Sequence, residues 1–171
     1  MNYYFIANNP NNKTFMEKTI FTNKDIVVVF NHNMYKNYKS FKNATEKIHF
    51  YRSGGPNGYW GKDIIQKCEC TKYLINHNKN DSDFNKKNII VKDTKMLQEH
   101  NYKKEKKSPQ SGSMAFHYLE NNTDICNPKN KIYLVGFTSV YRRGLWSGHS
   151  KKLEDAYWDY IIKKYNNIYR I

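Results

Sequence analysis

Asp25-Ile-Val-Val-Val-Phe30 is a nearly continuous run of β-branched and aromatic hydrophobes. A strand with one wet face alternates apolar and polar residues, whereas a strand covered on both faces reads as an unbroken apolar run. The stretch therefore predicts an inner strand of a sheet with cover on both sides. On its N-terminal side, residues 3–7 form a shorter apolar run that stops at the dense turn signal Asn8-Asn9-Pro10-Asn11-Asn12. Residues 14–20 then suit a short helix, with Thr14 as N-cap and Glu17 in capping-box spacing. On its C-terminal side, residues 47–51, 73–76 and 88–92 read as strands, and Lys131-Ile-Tyr-Leu-Val135, ended by Gly136-Phe137, is the last clear one. Ser53-Gly-Gly-Pro-Asn-Gly58 is a loop that no regular element accommodates, and residues 77–87 are a polar loop. Helical sequence from Thr94 leads into Lys103-Lys-Glu-Lys-Lys107. A second helix over residues 113–120 is opened by Ser108-Pro-Gln-Ser-Gly112, and a third is expected over 152–165. In the third, Leu153, Ala156, Tyr157, Tyr160 and Ile161 fall at helical spacing.

Strands alternating with helices argue for βαβ units with right-handed crossovers and a parallel sheet. The expected fold is α/β, a single Rossmann-like domain over residues 1–171, with a mostly parallel sheet flanked by helices. Hydrophobic residues are only 39% of the chain, but aromatics reach 16%, so 15 tyrosines can supply core volume that aliphatics would otherwise provide. Cys68, Cys70 and Cys126 are an odd number with no zinc-ligand spacing, which fits a reduced, cytoplasmic protein. No run reaches the roughly 20 apolar residues that span a bilayer, and residues 1–7 lack the basic start of a signal peptide.

The 29 Lys+Arg against 15 Asp+Glu give a formal charge of +14, a field that attracts phosphates, nucleic acids and anionic membranes. Lys outnumbers Arg, whereas specific phosphate or base recognition favours Arg, and no nucleic-acid-binding motif is present. No specific nucleic-acid partner is therefore expected.

In open α/β sheets ligands bind beyond the carboxyl ends of the strands. Asn8 and Asn9 follow the first strand and Asn31 the second; their amides suit a nucleotide's ribose, base or phosphate, although turn formation explains them equally well. Ser111, Gly112 and Ser113 open a helix after a proline and offer N–H groups, hydroxyls and the positive dipole end to an anion. A simple helix cap is the plain alternative, and neither the dinucleotide fingerprint nor the P-loop pattern occurs. His149 follows a glycine beyond the last strand and suits a general base near neutral pH; Glu154 then orients its ring or stabilises its cation. The competing reading is a loop histidine beside an ordinary helix carboxylate. His32 is a reserve base, His49 and His117 read as packing residues, and His77 and His100 fall in polar stretches. No metal-ligand spacing and no Asp-x-Asp is present, so no metal and no cofactor is expected.

In order, these segments resemble the sialyltransferases. The first strand, its Asn turn and the second strand ending at Asn31 look like the family's long first motif, which carries CMP-binding asparagines. Ser108-Pro-Gln-Ser-Gly-Ser-Met-Ala is similar to the start of the second motif, and Tyr133-Leu-Val-Gly-Phe137 to the strand and turn that close it. His149 and Glu154 have the spacing of the short C-terminal motif, whose His is the catalytic base. The chain has Asn9-Pro10-Asn11 where the family has Gly-Ser, and Tyr141 stands nearest to its His-Tyr-Tyr motif. The resemblance implies a metal-independent, inverting glycosyltransferase that moves a 2-keto sugar acid, sialic acid first, from a CMP-sugar donor to a glycan or glycolipid acceptor. The basic charge, for its part, suggests peripheral association with an anionic membrane at its inner face. Transfer from CMP-Kdo shares parts of the pattern. A basic nucleic-acid-binding domain and an inactive partner subunit, suggested by the short chain, are the alternatives from other classes.

Overall fold

The computed structural model describes residues 1–30, 39–52, 71–76, 88–90, 94–137 and 148–171. Asn31, His32, the 53–58 loop, Cys68, Cys70 and Tyr141 lie outside the described residues. Seven described strands form one sheet: β1 (Asn2–Ile6), β2 (Asp25–Phe30), β3 (Glu46–Arg52), β4 (Lys72–Asn76), β5 (Asn88–Ile90), β6 (Lys131–Val135) and β7 (Ile168–Arg170). Their order is β5-β4-β3-β2-β1-β6-β7, and every pairing is parallel. The expected α/β architecture is therefore present, as a fully parallel sheet.

All six residues of β2 are buried, as its unbroken apolar run requires. Alternate residues feed two separate cores. Tyr3, Phe5, Ile26, Val28, Ile48, Phe50 and Ile132 face one layer, covered by α3 (Ser111–Asn122) and α4 (Lys151–Lys164). Ile6, Val27, Val29 and Val135 face the other, where α1 (Lys13–Lys18) contributes Met16 and the following chain Phe21. Each fully buried Val, Ile or Phe contributes about 1.5–3 kcal/mol by leaving water. On this second face Tyr133 stacks on Tyr4 at 4.8 Å and on Tyr169 at 5.5 Å, the cross-strand pairs set by the parallel register.

Three sequence expectations change. Strand β7 follows β6 at the sheet edge, so residues 131–135 are not the last strand; with three residues, of which two are exposed, β7 carries little hydrophobic signal. Thr14 is inside α1, whose N-cap is Asn12 and makes no side-chain cap bond. The Asn12 amide instead donates to Ala7 O at 2.9 Å and Val135 O at 3.3 Å, so the residue serves the sheet and not the helix. Helix α3 starts at Ser111, two residues earlier than the pattern of large side chains suggests. In α4 the Ser150 hydroxyl accepts from Leu153 N–H at 3.3 Å, a side-chain N-cap. A short α2 (Thr94–Glu99) precedes the basic turn. Among the described residues no helix is long and apolar enough to cross a membrane.

Candidate functional site at the carboxyl edge of the sheet

From β1 the chain moves outward through β2 to β5, then returns beside β1 as β6 and continues to β7. The strand order thus reverses between β1 and β6, the switch point at which parallel α/β sheets open a crevice for ligands. Helices α3 and α4 precede β6 and β7 and run back along the sheet, which sets both helix N-termini at this same edge.

Short polar side chains knit the strand ends together. Ala7 N–H donates to Val135 O at 3.0 Å. The Asn8 amide donates to Phe30 O at 2.7 Å and so ties β1 to β2. Asn9, 3% exposed, donates to Gly136 O at 3.2 Å while its Oδ1 accepts from Asn11 N–H at 3.0 Å, an Asx turn. Gly136 has φ +71°, and a Cβ there would lie 2.2 Å from Asn12 Oδ1. Only glycine fits this close approach. The amide donors of Asn8 and Asn9 expected to meet a nucleotide are thus directed to backbone carbonyls.

At the start of α3, residues 108–113 are sewn to the start of α4. Ser108 N–H donates to Gly148 O at 2.8 Å. His149 Nδ1 is 2.7 Å from Ser108 O. A carbonyl only accepts, so Nδ1 carries the hydrogen and the basic lone pair of the neutral ring is on Nε2. The ring is half-buried. This is the tautomer that a general base needs when its second nitrogen takes the proton.

Glu154 is fully buried, and its Oε1 accepts from Tyr102 Oη at 2.8 Å, Gln110 N–H at 2.5 Å and Ser113 Oγ at 3.1 Å. The sequence reading assigned this carboxylate to the imidazole; in the structure it binds the first turn of α3 and Tyr102. Its link to His149 is indirect, since each anchors a different end of the short segment Ser108-Pro109-Gln110. The reason is helical phase: the residue four positions after the Ser150 cap points inward, under the neighbouring helix, and not back over the loop.

The three proposed anion ligands also separate. Ser113 is fully buried, with its hydroxyl 2.9 Å from Gln110 O and 3.1 Å from Glu154 Oε1, so it is an internal tie and not a ligand group. Gly112 is buried beneath Phe137, whose Cε1 would stand 2.4 Å from an added Cβ. Its glycine is required for packing. Ser111 is half-exposed at the helix start. The exposed turn residues Lys103, Lys104 and Lys106 precede this segment directly and give the edge a positive field.

A second group of ionisable side chains lies on the outer side of the helical layer. His117 of α3, His100 after α2 and Tyr157 of α4 line a cleft of about 520 Å³ together with Glu99, Glu120 and Lys164. Burial pushes both imidazoles below the ordinary histidine value, against the opposite pull of Glu99 and Glu120. Glu120 Oε1 accepts from Lys164 Nζ and Tyr165 Oη, each at 2.7 Å, which raises the Lys164 ammonium. Burial, followed by this carboxylate, pushes the Tyr165 phenol up to about 12. Sequence spacing did not reveal this group: Glu99 and His100 meet His117 only through the packing of α2 on α3. Tyr102, fully buried at the head of a lysine-rich turn, was equally hidden.

No family model, no curated protein and no solved structure matches the chain. The functional reading therefore rests on the geometry of the two sites.

Proposed function

We propose that the carboxyl edge of β1 and β6 binds a CMP-sugar and that His149 acts as general base in an inverting, metal-independent glycosyl transfer. The donor is a 2-keto sugar acid, sialic acid or its relative Kdo, and the acceptor is a glycan hydroxyl. The observation that carries this reading is the Nδ1–H bond from His149 to Ser108 O at 2.7 Å, which holds the ring beside the start of α3 in the base tautomer. The switch-point position, the half-exposed Ser111 and the basic turn over 103–107 support it further. In the transfer, Nε2 takes the acceptor proton as the acceptor oxygen bonds to the anomeric carbon. The bond from that carbon to the CMP phosphate breaks, and the phosphate leaves with the electron pair. The helix dipole and nearby lysines stabilise the departing charge. Glu154 is a positioning residue: it fixes the 108–113 segment and thereby the carbonyl that His149 uses. The +14 charge favours an acceptor at an anionic membrane surface, reached from the cytoplasm.

The test is a thermal melt with CMP, in EDTA throughout. At a hundred times the dissociation constant, bound CMP adds about 2.7 kcal/mol, or roughly 5–10 °C for a domain of this size. No shift at millimolar CMP overturns the nucleotide assignment. A shift without turnover of any CMP-sugar leaves the binding site and removes the transferase.

A further inference from the structure

We infer that Glu99, His100 and His117 form a binding site for a zinc-class divalent cation, opening onto the cleft between α3 and α4. The candidate ligand atoms of these three residues all lie within 4.8 Å of one another. A second observation points the same way. His117 is only 9% exposed, and among the described residues neither Nδ1 nor Nε2 has a hydrogen-bond partner; nor does the buried hydroxyl of Tyr157, a residue that also lines the cleft. A buried polar group left unsatisfied costs about 1–3 kcal/mol, so the His117 imidazole, grouped with Glu99 and His100, marks a place where a ligand supplies a partner.

The donor set selects the ion. Two neutral imidazoles and one carboxylate suit Zn²⁺ and its borderline neighbours, whereas Ca²⁺ and Mg²⁺ take all-oxygen shells. Tetrahedral zinc with bonds near 2.0 Å needs donors about 3.3 Å apart. Glu99 can close that gap, because its side chain is 47% exposed at the end of α2 and, among the described residues, is held by Lys95 at a loose 3.8 Å. A bound dication would displace that lysine, which already reaches Asn121 Oδ1 at 3.0 Å. Glu120 Oε2, 3.9 Å from His117 Nδ1, is close to where an outer-shell carboxylate orients a metal-bound imidazole. Three protein ligands leave a fourth position directed at the cleft, and the ion would pin α2 onto α3.

The experiment is a Co²⁺ titration of the full chain after dialysis against EDTA, followed by displacement with Zn²⁺. The expected result is one equivalent of Co²⁺ with tetrahedral d–d bands, no thiolate charge-transfer band, and a rise in Tm. H117A and H100A should each weaken binding by at least about a hundredfold, the upper end of the effect of outer-shell partners alone. E99Q changes an exposed side chain, so the fold is kept, and should weaken binding about tenfold or more. A C68S/C70S/C126S variant should bind as the parent does. Absence of saturable binding at micromolar free ion overturns the inference. So does binding that is lost with the cysteines and unchanged in E99Q and H117A.

Discussion

The carboxyl edge and the outer cleft differ in how many hydrogen bonds their buried polar groups gather. At the edge, Glu154 Oε1 accepts three hydrogen bonds, Asn9 spends both ends of its amide on the backbone, and His149 is fixed by Ser108 O. Beside the cleft, both nitrogens of His117 are buried without a hydrogen-bond partner among the described residues. A network in which one carboxylate oxygen gathers three donors is a frame: it holds neighbouring half-exposed groups in position, and the chemistry falls to those groups. An unsaturated one is a socket, whose energy is recovered only when something enters it. The edge is read here as a frame around His149 and Ser111, and the cleft as a socket for a cation.

The contrast can be broken at the edge first. His149→Ala should lower turnover of a CMP-sugar by about two to four orders of magnitude, with CMP affinity nearly unchanged. The matching stability loss should be only about 1 kcal/mol, because one hydrogen bond of a half-buried ring is removed. Near-parental turnover would end its role as base. Glu154→Ala should show the reverse emphasis. It strands the donors of Tyr102, Gln110 and Ser113 in the interior and should cost on the order of 3 kcal/mol or more, read as a fall in the urea midpoint. Retained stability would mean that the network is not the frame described.

A smaller effect is expected at Gly136→Ala. A non-glycine residue at φ +71° pays about 1–2 kcal/mol in backbone strain, and the added Cβ also meets the Asn12 amide at 2.2 Å. Loss of that amide's bonds to Ala7 and Val135 should loosen the β1–β6 edge, which hydrogen exchange would detect at those strand ends. An unchanged urea midpoint would show that Asn12 moves aside without loss.

The smallest effect belongs to the cleft. His100 and His117 are both lowered by burial, with Glu99 and Glu120 opposing and Lys95 and Lys164 assisting. Each therefore binds fewer protons folded than unfolded once the pH falls below the unfolded value, about 6.5. In metal-free protein their share of stability is intact above that value and is lost as the pH drops toward the lowered folded values. The urea midpoint should decline between pH 7 and 5, and His117→Gln should flatten the decline. An unchanged slope in that variant would assign the effect elsewhere.

How far the sequence foretold this follows from the range of each signal. The Asp25–Phe30 run announced a two-sided inner strand because continuous hydrophobicity is a local property, and β2 is buried at all six positions. The spacing of His149 and Glu154 is also local, so both are legible as candidates; what Glu154 touches depends on the neighbouring helix, and spacing does not carry that contact. Gly112 and Ser113 looked like an anion cradle because the loop composition is the same whether the groups face solvent or Phe137 and Glu154. The Glu99, His100 and His117 group could not be read at all, since α2 and α3 must first pack before those residues meet.

The position of β1 bears on how the chain is made as well as on where ligands bind. One edge of β1 pairs with residues 25–29, but its other edge waits for residues 131–135. During vectorial synthesis a strand carrying Tyr3, Tyr4, Phe5 and Ile6 therefore has one open edge while most of the chain emerges, an invitation to off-pathway strand pairing. Parallel pairing across such a separation is intrinsically slow. Asn9 and Asn12, which donate to Gly136 O and Val135 O, would then serve as latches, closing only when β6 arrives and committing the sheet to its native order.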